Sequence, residues 1–220
     1  MNPLIAKEIR LVVHPATYVL ALLGALVLIP TWMYGAIFIY GILVAFFNGL
    51  NAREMHDLAY SFALPASRRS MVRARIAVMV AVEVFMLAIM ALFIGLREPF
   101  GINAFAAGQA PVGCGANLFL VGFGLALFGL FNLVFYPLYY RNPEKIGVPF
   151  LVACVPFTLA LVVIEALPYL PWGPCALFGV PGFHDLGAQL VVLVAGAALF
   201  AAATLWGARR AARAFATFDA

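Results

Sequence analysis

Charged residues divide this chain into long apolar stretches. From Leu11 to Ala52 no Asp, Glu, Lys or Arg occurs, a gap of 42 residues. As a single helix that gap would run ~63 Å at 1.5 Å per residue, about twice the ~30 Å hydrocarbon core of a bilayer. Ile29-Pro30-Thr31 offers a break, because proline lacks an amide donor and crowds the preceding turn. The pattern therefore predicts one span over about 16–30 and a second over about 32–50. The same reasoning predicts spans over about 76–96, 117–137, 146–167 and 187–207, and a lead-in helix over 1–15. Between them, 99–115 is rich in Gly and Pro and reads as a loop. Residues 168–185 hold four prolines and read as an irregular or re-entrant segment. Asn142-Pro143-Glu144 has the order of a helix start, with an Asn cap, Pro at the first position and an acid in the first turn.

Residues 51–75 follow another pattern. Over about 52–64, Met55, Leu58 and Phe62 share one helical face, and Arg53, Glu54, His56 and Asp57 cover much of the rest. Pro65 ends that helix after Leu64, and Ser67 is placed to cap a new one running through Arg68, Arg69, Arg73 and Arg75. The expected result is a short amphipathic helix, a sharp break and a basic approach to the third span.

Composition fixes the solvent. The chain is 66% hydrophobic with a mean hydropathy of +1.06, against 45–50% apolar residues in a typical soluble domain. Lipid is the outer solvent such a surface needs. Helix-length apolar runs without alternation argue for an all-α membrane protein and against a β-barrel. With six spans, twelve of the thirteen Lys and Arg residues fall on the side of the N-terminus, and Arg97 alone falls on the other. The positive-inside rule then expects both termini in the cytoplasm, of a bacterial cell membrane, with the first span as insertion signal and no cleavable leader. Three cysteines are too few for a metal cluster. Cys154 reads as a packing residue, whereas Cys114 and Cys175 fall in loops on one side and form a candidate disulfide.

Candidate chemistry inside the membrane is sparse. Glu83 lies within the third span, where an ionised acid costs roughly 2.5–3.5 kcal/mol. Its readings are a substrate-path or proton-relay residue, or a structural hydrogen bond to another helix through Asn132 or Thr158. Arg97-Glu98 reads as an interfacial pair. Glu165 with His184-Asp185 falls short of a metal site, and His14 and His56 add nothing to one. Gly122, Gly124 and Gly129 make a small-residue face for close helix packing, within the chain or between two copies.

Three segments carry a resemblance. Asn51, the acidic stretch with Glu54 and Asp57, then Leu64-Pro65-x-Ser67-Arg68 and Met71-Val72, resemble the permease subunits of ABC-2 type transporters, closest to the branch of the phenol-soluble-modulin exporter permeases. Tyr136-Pro137-Leu138-Tyr139-Tyr140-Arg141 followed by Glu144-Lys145 is similar to that branch's second cytoplasmic loop. Asn2 to Arg10 is similar to its lead-in helix. The chain departs from the branch in the acidic helix, where a bulky aromatic is common and Tyr60 fills that role only loosely, and at Pro143, where Gly often precedes the Glu-Lys. The resemblance implies a single permease domain over 1–220 that is no enzyme itself and holds no cofactor. It implies a second permease, identical or homologous, two cytoplasmic ABC ATPase subunits carrying ATP and Mg, membrane lipid around the bundle and no nucleic acid. Asn51, Glu54, Asp57, Leu58, Leu64, Pro65, Ser67 and Arg68 would couple to the ATPase, with Tyr140, Arg141, Glu144 and Lys145 in the second loop. The expected cargo is an amphipathic or hydrophobic peptide, lipid or drug. Neither lysine, Lys7 after Ala6 nor Lys145 after Glu144, sits in a phosphate-binding Gly-Lys loop, so the ATPase is expected on another chain. The alternatives are a haem-export type permease, a membrane-embedded enzyme using Glu83, and a non-transporting scaffold.

Overall fold

A computed structural model describes residues 3–30, 32–63, 66–106 and 112–217. The chain forms helices α1 (Pro3–Lys7), α2 (Ala16–Leu22), α3 (Gly35–Glu54), α4 (Asp57–Phe62), α5 (Arg68–Arg97), α6 (Ile102–Ala106), α7 (Leu118–Tyr139), α8 (Gly147–Ala166) and α9 (Leu186–Ala216). Five helices are long and apolar enough to cross a membrane, and the pair Leu4–Val12 and Ala16–Leu28, bent by 94°, makes a sixth if it is one broken span. Among the described residues there is no strand. The all-helical membrane class expected from the sequence is thus present.

The first segment solves a length problem. Ala16–Leu28 has seven α-helical residues followed by six in a tighter 3₁₀ turn. At 1.5 and 2.0 Å per residue these cover ~22 Å, and the segment still runs end to end beside its neighbours. Thr17 touches Asn48 near the C-terminal end of α3, while the Val27 carbonyl meets Arg97 at the far end of α5. The 94° bend leaves carbonyls of the preceding turn without helical partners. Asn51 donates to Leu11 O (3.1 Å) and Val12 O (3.0 Å). One turn earlier, Asn48 Oδ1 accepts from His14 N (2.7 Å) and from the Thr17 hydroxyl (2.9 Å). Two amides on one face of α3 therefore clamp the bend.

Helices α5 and α9, of 30 and 31 residues, are ~45 Å long and outrun a bilayer core. Their basic ends meet: Arg68 Nη1 donates to Ala216 O (3.1 Å), its guanidinium lies over Phe62 (5.2 Å), and Phe62 stacks on Phe215 (5.8 Å). The N-terminal end of α5 and the C-terminal end of α9 thus lie at the same end of the bundle. The spans predicted over 76–96 and 187–207 are the inner parts of these longer helices.

Helix α7 is the axis of the core. Its Phe128, Phe131 and Leu120 are buried, and α9 packs along it through glycine. A Cβ on Gly122 would lie 2.8 Å from Val192 O, and one on Gly129 would lie 2.8 Å from Phe200 Cα. The small-residue face is thereby used within the chain, with Gly124 turned instead to Phe38 and Leu87. Outward-facing Val148, Leu151, Val155 and Leu159 of α8 and Val191 and Val194 of α9 stay exposed, as lipid-facing side chains do.

Two local expectations change. Asn142-Pro143-Glu144 forms a turn, with Lys145 N bonded to Asn142 O (3.1 Å), and α8 begins later, at Gly147. Pro fixes φ for the second position of a turn as well as for a helix start. The helix expected over 52–64 is divided: residues 52–54 end α3, His56 takes a left-handed φ of 49°, and α4 starts at Asp57. Leu64 and Pro65 lie outside the described residues.

Candidate functional site

Where α1, α4 and α5 converge, four charges are buried together. Lys7 Nζ contacts Glu8 Oε1 (2.8 Å) and Asp57 Oδ1 (2.7 Å), and Arg75 Nε contacts Glu8 Oε2 (2.8 Å). Arg75 Nη2 closes the ring on Asp57 Oδ2. Lys7 also donates to Ser61 Oγ (2.8 Å), and Arg75 Nη1 donates to the Tyr139 hydroxyl (3.4 Å). Two cations and two anions cancel, which is what allows them to be buried. Burial alone would push the Asp57 carboxyl up, but Arg75 and Lys7 outweigh it and hold the group below the usual carboxylate range.

This cluster corrects the reading of Asp57. The residue was expected on the solvent face of a docking helix; it is 2% exposed and serves as a bracket between the lead-in helix and α5. Asn51 likewise spends its amide on the bend. Met55, expected on the apolar face, is 60% exposed, because the break at His56 swings it outward. The helical periodicity assumed across 52–64 fails at that one residue.

The remaining residues of the two basic loops separate into supports and surface. Ser67 caps α5, its Oγ accepting from Ser70 N (3.2 Å). Arg68 ties α4 to the end of α9, and Tyr140 is buried against Phe215. Arg53, Glu54, His56, Tyr60, Arg141, Glu144 and Lys145 are exposed. The backbone of Leu58 lies in α4. Loops distant in sequence come together here: Arg53 and His56 from one, Pro143, Glu144 and Lys145 from the other, line a single open cleft of about 480 Å³ floored by Arg75 and Tyr139. Lys7, Glu8 and Arg75 were read only as topogenic or lead-in charge. The signal that could have found them is Lys7-Glu8, adjacent opposite charges within the lead-in.

Deeper in the bundle, Glu83 and Asn132 do meet. Asn132 Nδ2 donates to Glu83 Oε2 (2.8 Å) and to the Thr204 hydroxyl (3.2 Å), joining α5, α7 and α9. Thr158, the other candidate partner, takes no part in these bonds.

The opposite end is held without ion pairs among the described residues. Arg97, expected as half of an interfacial pair, is 1% exposed. It donates to Asn103 Oδ1 (2.9 Å), the Tyr34 hydroxyl (3.0 Å) and the Val27 carbonyl. Asn117 caps α7 by accepting from Leu120 N (3.1 Å) and donates to Phe178 O and Val180 O. Glu165 accepts from Cys114 N (3.1 Å), anchoring the loop before α7. The candidate disulfide is absent: Cys114 and Cys175 are both free thiols, and Cys114 Sγ donates to Ile164 O (3.3 Å). No group of three or more His, Cys, Asp or Glu among the described residues is arranged to hold a metal.

The chain matches no family model, no curated protein and no solved structure.

Proposed function

We propose that this chain is the membrane subunit of an ATP-driven exporter of the ABC-2 type, with six crossings and its arginine-rich end in the cytoplasm. The observation that carries the reading is the cleft between the 53–56 corner and the 143–145 turn. Both of the loops that resemble coupling loops contribute to it. It lies beside a buried, charge-balanced brace that joins the lead-in helix, α4 and α5. A push on the exposed corner at Met55 passes through Asp57 into Arg75, and so into α5, one of the two helices that outrun the bilayer core. A flexible loop would absorb the same push locally.

On this reading the docking surface is the exposed set Arg53, Glu54, Met55, His56 and Tyr60 with Glu144 and Lys145. Asp57 and Asn51 position that surface and do not touch the ATPase. ATP and Mg belong to the two partner subunits, and a second permease completes the path for an amphipathic or hydrophobic cargo. The pairing of the short first segment with α5 fits a bundle that tilts as a unit.

The test is co-expression with the ABC ATPase encoded beside the chain, followed by purification in detergent. Met55→Asp with Tyr60→Ala is expected to abolish co-purification while the permease alone stays folded. Asp57→Asn is expected to destabilise the permease itself. Unchanged co-purification of the surface double variant contradicts the docking assignment.

A further inference from the structure

Three buried polar atoms between the charged cluster and mid-membrane find no protein partner among the described residues: the hydroxyls of Tyr136 and Tyr140 and the Oδ1 of Asn132. Buried hydroxyls without a partner are rare in native proteins, and ordered water is their usual remedy. The two phenols share a void of about 20 Å³, which Arg75, Asn48 and Met79 also line. One water needs roughly 10–15 Å³ and at least two polar partners. This void supplies both.

Its position gives it a direction. Toward one end, Arg75 and Tyr139 line both the void and the open 480 Å³ cleft. Toward the membrane centre, Met79 lies one turn before Glu83 on α5, and Tyr136 lies one turn after Asn132 on α7. One turn is ~5.4 Å. Beyond Glu83 the core is apolar: Met86, Met90 and Ile94 of α5 and Leu120, Leu127 and Phe128 of α7 are all buried in one hydrophobic cluster. Among the described residues, the buried polar groups on α5 and α7 that lead toward Glu83 come from the arginine-rich end.

We propose that Glu83 is a proton-exchanging carboxyl, reached from the arginine-rich end through water held between Tyr140 and Tyr136. The step is concerted. A bridging water gives a proton to the carboxylate and takes the Tyr136 hydroxyl proton, Tyr136 takes one from the water in the void, and that water is reprotonated from solvent in the cleft, so no charge is stranded in the path. Release runs the same chain in reverse. Asn132, bonded to Glu83 Oε2, orients the carboxyl, and Thr204 orients Asn132 from α9. The other titratable groups facing the path are Arg75, Tyr139, Glu8 and Asp57, which interact with the Tyr140 ring position. The proposal stands apart from the exporter reading, since it requires neither an ATPase nor a cargo.

The test is infrared spectroscopy of the full-length protein in lipid bilayers during exchange into D2O. A protonated-carboxyl band that shifts on deuteration is expected, and Glu83→Gln removes it. Tyr136→Phe and Tyr140→Phe each keep the ring and are expected to slow that shift at least about tenfold, an added barrier of ~1.4 kcal/mol. Ala45→Leu, which fills the void from α3 without removing a hydroxyl, is expected to slow it as well. Tyr34→Phe, a hydroxyl deletion at the opposite end, leaves the rate unchanged. Two results overturn the proposal: no Glu83-dependent protonated band at any pH, or a band whose exchange is as fast in the void-filling and phenylalanine variants as in the native chain.

Discussion

The two ends of the bundle hold themselves together by different physics. At the arginine-rich end, Lys7, Glu8, Asp57 and Arg75 form a closed ring of opposite charges. At the other, the neutral oxygens of Asn103, Tyr34 and the Val27 carbonyl surround the Arg97 cation, and Asn117 separately ties the start of α7 to the Phe178 and Val180 carbonyls. A ring of charges is strong while complete and costly once broken, because the survivor is a buried unpaired charge. A network of carbonyls and amides loses little when one member goes, since the rest share the donor. The first end is suited to transmit force as a unit, and the second to anchor loops.

Breaking the ring gives the largest effect. Arg75→Met leaves Glu8 and Asp57 to share Lys7, one buried negative charge in excess, and is expected to cost about 3–5 kcal/mol, the range for one partner lost from a buried pair. Unfolding of the purified protein in detergent measures it. The cycle with Asp57→Leu sharpens the test: a double variant less damaged than the sum of the singles is the signature of direct coupling.

Next is a matched lesion at the opposite end. Arg97→Met removes hydrogen bonds from the Val27 carbonyl, Tyr34 and Asn103 but strands no charge. About 1–3 kcal/mol is expected for the acceptors left buried. A loss equal to that of Arg75→Met erases the distinction between the ends.

The acid dependence separates them further. Asp57 has its carboxyl lowered in the folded chain. Its stabilisation is therefore present above the unfolded carboxylate value and lost as pH falls through the lower folded value. Stability below about pH 4 is expected to decline less steeply in Asp57→Asn than in the native chain. Asn103→Leu leaves the slope of the acid limb unchanged.

The smallest effect is chemical. Burial, reinforced by the Glu165 carboxylate, pushes the Cys114 thiol up to about 12. Cys114 is expected to resist alkylation at neutral pH in the folded protein and to react once it is unfolded. Rapid modification under native conditions contradicts the packing around Ile164.

Much of the architecture was readable because membrane spans are written as long uncharged runs. The break at Ile29-Pro30 and the cap at Ser67 come from the chemistry of single residues, and those residues act locally. What was not readable came from contacts between segments. Asp57 looks like a surface acid until Lys7 and Arg75, fifty and eighteen residues away, are brought to it. Arg97 looks interfacial until the short first segment delivers the Val27 carbonyl. His56 carries no helix-breaking signature, yet its left-handed backbone moves Met55 from a core face to solvent. Glu83 and Asn132 were legible as a pair because two polar residues in apolar helices have few partners to choose from.

The central claim is that the exposed corner at Met55 faces the compartment that holds the ATPase. The direct measurement uses a variant lacking the three natural cysteines and carrying Met55→Cys, treated with a membrane-impermeant thiol reagent. Labelling is expected only in inside-out vesicles, with intact cells unmodified until they are permeabilised. Labelling in intact cells puts the corner, the cleft and the charged ring on the outside, and contradicts the account.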